Sequence, residues 1–282
     1  MPRVSSAQID TPLLEINGTL EAGDAVADDG SLYDDYPFEG EAGQAILIQL
    51  ESAAFDTYLW LLDAAGNALA QNDDANEGTN SQIGIVLPET GTYRVRANAF
   101  DASGQGNYRL NVRLTTADNP SVLKTTANTL LSQGNQQYRI SQFRVALETW
   151  EQALTLYREI GDRAGEGAAL GNLGNAYNNL GQYERAIDLY EQDLAITRDI
   201  GDRAGEGSTM GNIGIAYESL GQYERAIALH EQRLAIAREI GERSGEGAAM
   251  KNIGKAFKTK GQKERAIEIN EQDLAITRDI GD

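Results

Sequence analysis

The stretch EIGDRAGEGAALGNLGNAY (159–177) decides the architecture of more than half of this chain. Forty residues on, the sequence reads DIGDRAGEGSTMGNIGIAY (199–217), and forty further EIGERSGEGAAMKNIGKAF (239–257). Self-similarity at a fixed period of roughly 20–50 residues marks a solenoid, in which each unit buries its apolar face against its neighbours. Within one period the apolar residues keep helical spacing. Leu170, Leu173 and Tyr177 form one stripe; Tyr183, Ala186, Ile187 and Tyr190 form the next. Gly161, Gly201 and Gly241 suit the left-handed residue that ends a helix. Asp162 and Asp202, which follow, are good N-caps. Gly181, Gly221 and Gly261 punctuate the second turn, so each period predicts two antiparallel helices. A weaker unit precedes these, with Gly134, Phe143, Ala146, Trp150 and Ala153 in register. Its first helix is expected to start with Asn119 as cap and Pro120 at the first helical position.

The spacing of Leu170, Leu173, Gly174 and Tyr177 recurs at Met210, Ile213, Gly214, Tyr217 and at Met250, Ile253, Gly254, Phe257. It resembles the tetratricopeptide repeat, and Ala186, Ala226 and Ala266 match that family's small residue in the second helix. The forty-residue length, with GNLGNAY and LAIAREIGERSGEG, resembles the long repeats of Leu-Gly-Asn (Partner of Inscuteable) adaptors. Similar repeats occur in bacterial proteins that join them to a caspase-like peptidase domain. The resemblance implies a right-handed α-solenoid of four helical hairpins over 123–282. It also implies a concave face, lined by the first helix of each pair, that takes an extended peptide. One departure is that Asp193, Arg233 and Asp273 stand at the family's second small position.

On that concave face the resemblance places Asn172, Asn175 and Asn179, then Asn212, then Lys251, Asn252, Lys255 and Lys258. Asn172, Asn212 and Asn252 recur at the repeat period. Their amides, which both donate and accept, suit either the backbone of a bound peptide or a bridge between neighbouring helices. Lys251, Lys255 and Lys258 lie at i, i+4 and i+7 and share a helix face. Five of the six lysines fall between 251 and 263, in a chain of net charge −19. They predict a basic end to the groove and an acidic ligand. Gly171 breaks the Lys–Asn–Asn–Lys/Arg set with which family members clamp a terminal carboxylate. His230 takes the place of Trp150, Tyr190 and Asn270 in the neighbouring units and reads as a packing residue. The repeated YERA and DRAGEG charges read as solvated faces with i,i+4 pairing. The last helix leaves Ala266, Ile267, Ile269 and Leu274 without a following repeat, so self-association through this end is expected.

The first 116 residues follow a different rule. They carry 18 acids and 5 bases, against 25 and 19 in the remainder. TYRVRANAF (92–100) and NYRLNVRL (107–114) alternate with period two, and turns such as PETG (88–91) and DASGQG (101–106) separate the runs. Short strands at this spacing predict an antiparallel β-sandwich. FDTYLWLLDAAGNALAQNDD (55–74), followed by LPETGTYRVRANAFDASGQGNYRLNV (87–112), resembles the bacterial pre-peptidase C-terminal domain, a sandwich appended to exported proteins; this implies an accessory module. The expected division is therefore a tail (1–13), a sandwich (14–116), a linker (117–122) and the repeat array (123–282), a multidomain all-β plus all-α chain.

The loop QNDDANEGTN (71–80) raises calcium at Asp73, Asp74 and Asn76, with Asn72, Asp74 and Asn76 at alternate positions. Gly78 is one place late for an EF-hand and Ile83 stands where its bidentate Glu belongs, so a solvated turn is the favoured reading. No cysteine and a single histidine leave out thiol, Ser–His and His-based zinc chemistry. The acidity disfavours nucleic acid, and no run is long and apolar enough to span a membrane. The start MPRVSSAQID lacks the apolar core of a signal peptide, although SSAQ could be the remnant of one. The compartment is exported if so, cytoplasmic otherwise. The composite reading is a non-enzymatic interaction scaffold without cofactor. Two alternatives stay open: the accessory part of an exported caspase-like peptidase, or a cation-dependent matrix or glycan binder in the sandwich.

Overall fold

The computed structural model describes residues 12–73 and 79–269. The chain divides into two compact units, Met1–Ala127 and Asn128–Asp282.

In the first unit nine strands form among the described residues. They are β1 (Pro12–Leu20), β2 (Ala25–Val26), β3 (Leu32–Gly40), β4 (Ala45–Ser52), β5 (Thr57–Leu62), β6 (Ala68–Asn72), β7 (Ser81–Val86), β8 (Gly91–Ala99) and β9 (Gly106–Leu114). They pair antiparallel in two sheets, ordered β1-β9-β4-β7 and β2-β3-β8-β5-β6. Strands such as β8 and β9 alternate inward and outward residues, as the period-two pattern requires, while β4 is buried on both faces over 45–48. Ile46, Ile48, Leu110 and Val112 from the first sheet share one core with Phe38, Leu59, Leu61 and Val95 from the second. β5 pairs on both sides, which fits its apolar sequence. On the outward side of β8, Arg96 donates to both carboxylate oxygens of Asp35 at 2.8 and 3.0 Å and lies over the Tyr33 ring.

Seven helices follow among the described residues: α1 (Pro120–Arg139), α2 (Phe143–Ile160), α3 (Arg163–Asn179), α4 (Tyr183–Asp199), α5 (Arg203–Ser219), α6 (Tyr223–Ile240) and α7 (Arg243–Thr259), with residues 263–269 helical beyond them. The division between the units falls within α1. Its first turn packs on β7: Gln82 Nε2 donates to Ser121 Oγ, and a Cβ at Gly84 would lie 2.5 Å from the Val122 nitrogen. In the second unit, Asp162 and Asp202 cap α3 and α5 by accepting from Gly165 N at 2.9 Å and Gly205 N at 2.8 Å. Gly161 and Gly241 end α2 and α6 with φ of 74° and 73°. The turn chemistry is thus local, and it recurs because the sequence does.

Candidate peptide-binding groove

The first three hairpins each close on a ring packed against a glycine. Trp150 covers Gly134, Tyr190 covers Gly174 and His230 covers Gly214; a Cβ on these glycines would lie 2.3, 2.5 and 2.6 Å from the ring atoms. His230 is fully buried, so it packs as its place in the series predicts. The polar atoms of the rings find different partners. Trp150 Nε1 donates to Leu131 O at 3.1 Å, and Tyr190 OH to Asn175 Oδ1 at 2.7 Å. His230 Nε2 lies 3.3 Å from Glu218 Oε1.

A second repeated feature corrects the reading of DRAGEG as a solvated face. Glu166, Glu206 and Glu246 are only 6–8 % exposed. Each carboxylate is held from both sides. Arg158, Arg198 and Arg238 reach it from the preceding helix at 2.8, 2.8 and 2.7 Å, and Arg163, Arg203 and Arg243 from its own first turn. The spacings are i,i+8 and i,i+3, not i,i+4. For Glu206, burial alone would raise the carboxyl, but the Arg198 and Arg203 guanidiniums outweigh it and hold it below the ordinary carboxylate value. Arg163 also reaches Asp199, and Arg203 reaches Glu239, so these two knots tie the start of α3 and α5 to the ends of α4 and α6. The signal that would have found the knots is the recurrence of Arg eight residues before every such Glu.

The predicted groove residues fall into two classes. Asn172 Nδ2 donates to Asn135 Oδ1 at 2.9 Å, which bridges α3 to α1. Asn175 accepts from Tyr190, and Asn179 Nδ2 donates to Tyr138 OH and to Asn175 O. These three amides are therefore engaged inside the array. Asn212 and Asn252 are half-buried and make no side-chain hydrogen bond among the described residues. On α7, Lys255 Nζ lies 2.8 Å from Glu218 Oε2. Burial pulls the Glu218 carboxyl up, yet His230 and Lys255 together hold it below its usual value. Lys251 and Lys258 are exposed and form no ion pair among the described residues. Lys260 pairs with Glu224 at 2.7 Å.

The residues at the unexpected second-helix position also find room. Asp193 faces Gly167 and Gly171, where a Cβ would lie 3.0 and 3.3 Å from its oxygens, and Thr209 Oγ1 donates to it at 2.7 Å. Burial raises the Asp193 carboxyl, partly offset by that hydroxyl. Arg233 lies over Gly211, with Nη1 2.5 Å from where a Cβ would stand. Gly171 and Gly211 thus have a packing reason that a missing clamp residue does not convey. Asp273 lies outside the described residues, as does Leu274. Ala266 is buried and Ile267 is 56 % exposed. Of the calcium candidates, Asp74 and Asn76 lie outside the described residues. Among the described residues no group of three His, Cys, Asp or Glu side chains is placed to hold a metal, and no helix is long and apolar enough to cross a membrane.

The sequence profile of the tetratricopeptide repeat matches residues 125–199, 168–239 and 205–279, and that of the bacterial pre-peptidase C-terminal domain matches 32–99. No curated protein sequence matches the chain. Among solved structures, BtubC from P. vanneervenii is similar at 22% identity and a TM-score of 0.53, over 56% of this chain and 65% of that one. Aspartyl phosphate phosphatase F from Bacillus subtilis is similar at 21% identity and 0.54, over 56% of this chain and 42% of that one. A Rap protein complexed with Competence and Sporulation Factor gives 17% and 0.51, over 55% and 43%. This chain spans less than two thirds of each of these proteins, and the likeness is one of helical-repeat fold alone.

Proposed function

This chain belongs to the tetratricopeptide repeat family, and we propose that its array binds an extended acidic peptide along the face formed by α3, α5 and α7. The observation that carries this reading is the state of the α7 lysines. Lys251 and Lys258 are exposed and unpaired among the described residues, in a chain whose net charge is −19. Lys255 lies between them along the helix and is held by Glu218. The half-buried amides of Asn212 and Asn252 suit the backbone of an extended segment, since each both donates and accepts. Asn172, Asn175 and Asn179 spend part of that capacity within the array and shape the far end of the groove.

Surface charges act over about 8 Å at physiological salt, so the attraction is salt-sensitive. Each exposed pair contributes at most about 1 kcal/mol. The test is fluorescence anisotropy of a labelled Asp- and Glu-rich peptide on the full chain, at low and high salt. Changing Lys251, Lys255 and Lys258 together to Glu is expected to weaken binding about tenfold to a hundredfold at low salt. Unchanged affinity at low salt would show that these lysines only solubilise the surface.

A further inference from the structure

The second and third repeats place different side chains at one position, and both reach past a glycine. Asp193 of α4 touches Gly167 and Gly171 of α3 on one side and Thr209 of α5 on the other. The position therefore lies behind the first helices, between two successive ones. By the repeat, Arg233 of α6 occupies the same place between α5 and α7, with its guanidinium over Gly211. Thr209 has no counterpart hydroxyl there, because Ala249 takes its place. Arg233 is half-buried and makes no hydrogen bond or ion pair among the described residues. The neighbouring helix carries a second cation. Lys255 of α7 meets Glu218 of α5, and Lys251, exposed, lies one turn earlier on α7.

We propose that Arg233, reaching the groove through the gap left by Gly211, is the carboxylate-receiving residue of the array, with Lys251 as its partner. This rests on the reading of the groove as an acidic-peptide site and makes it directional. An Asp or Glu of the ligand seats at the third repeat. The carboxylate of Asp193 at the equivalent point of the second repeat disfavours an acid there. Arginine suits this role because its planar fork binds a carboxylate with two parallel hydrogen bonds, whereas lysine offers a point charge. A guanidinium without a hydrogen-bond or ion-pair partner among the described residues offers both arms of that fork to a ligand.

The test compares the Asp- and Glu-rich peptide with its Asn/Gln counterpart, on the full chain and on Arg233→Gln and Arg233→Lys. The wild type is expected to prefer the acidic peptide. Arg233→Gln is expected to lose about tenfold on the acidic peptide and little on the amide one, consistent with a charge-assisted hydrogen-bond pair. Arg233→Lys, which keeps charge and stem, is expected to fall between, and it decides the matter if the glutamine variant is poorly folded by circular dichroism. Wild-type affinity in both variants, with the α7 lysine variant still impaired, would overturn this inference and leave the groove reading standing. A wild type that binds both peptides alike would overturn both.

Discussion

The hairpins α3–α4 and α5–α6 are alike down to single contacts. Each starts on an Asp cap, carries one buried Glu between two arginines, and lays a ring on a glycine. Each sets an arginine over a tyrosine, Arg185 on Tyr177 at 5.4 Å and Arg225 on Tyr217 at 5.5 Å. Between 163–199 and 203–239 they part at twelve positions, among them Asn175 against Ile215, Asn178 against Glu218, Tyr190 against His230 and Asp193 against Arg233. The shared residues face the core or cap helices, where any repeat meets the same neighbours. These four exchanges sit at or behind the face of α3, α5 and α7, whereas exchanges in the core, such as Leu170 against Met210 and Leu173 against Ile213, keep an apolar side chain. Scaffold determinants keep the period; the candidates for selectivity break it.

The largest effect should come from attacking what the two hairpins share. Gly174→Val places a branched side chain where even a Cβ would be 2.5 Å from the Tyr190 ring. We expect a loss of about 3 kcal/mol in urea unfolding, since overpacking a filled interior forces backbone shifts. Gly211→Ala meets the far end of the flexible Arg233 instead. It should change stability by less than about 1 kcal/mol, because Ala is the better helix former. Equal losses in the two variants would erase the distinction between core glycine and gap glycine.

Next in size is the arginine-held carboxylate. Glu206→Gln removes an ionised group that two guanidiniums hold, at an expected cost of about 2 kcal/mol. The sign with pH follows from the lowered value of Glu206 in the fold. Its contribution is fully present above the ordinary carboxyl pKa near ~4.3 and is lost as pH falls through the lower folded value. The difference between wild type and variant, read as melting temperature, should therefore shrink in acid. A difference that stays constant down to strongly acidic pH would count against the knot.

The smallest effect has the opposite slope. Asp193 is raised by burial, so the fold binds its proton more tightly than the unfolded chain does. Its ionised form subtracts from stability above the raised value, and the penalty fades below the unfolded pKa near ~3.9. Asp193→Asn keeps an acceptor for Thr209 and should stabilise by about 1 kcal/mol or less at neutral pH, with the gain vanishing in acid. A gain that grows on acidification would reverse the assignment.

Much of this was legible before any coordinates. Period, helix pairing, caps and the packing role of His230 followed from spacing alone, as did the alternating strands that bury Val95 and Leu110 on one face. The Arg–Glu–Arg knots were not legible as buried, because a charged run following a glycine turn looks the same on a solvated surface. Their only trace is the recurrence of all three residues in three repeats. Gly171 and Gly211 looked like gaps in a binding pattern, and only their facing side chains explain them.

What the sequence by itself determined is local. Which residues cap, which turn and which face inward depends on neighbours within about one helical turn or one strand pleat, and that information lies along the chain. What only the tertiary structure decided is the pairing of polar groups. Lys255 meets Glu218, Asn172 meets Asn135, Thr209 meets Asp193, and Arg233 lies over Gly211. Each of those contacts joins two different helices. It therefore depends on how closely the helices approach and on which small residues let them, a quantity that the packing of the whole array sets.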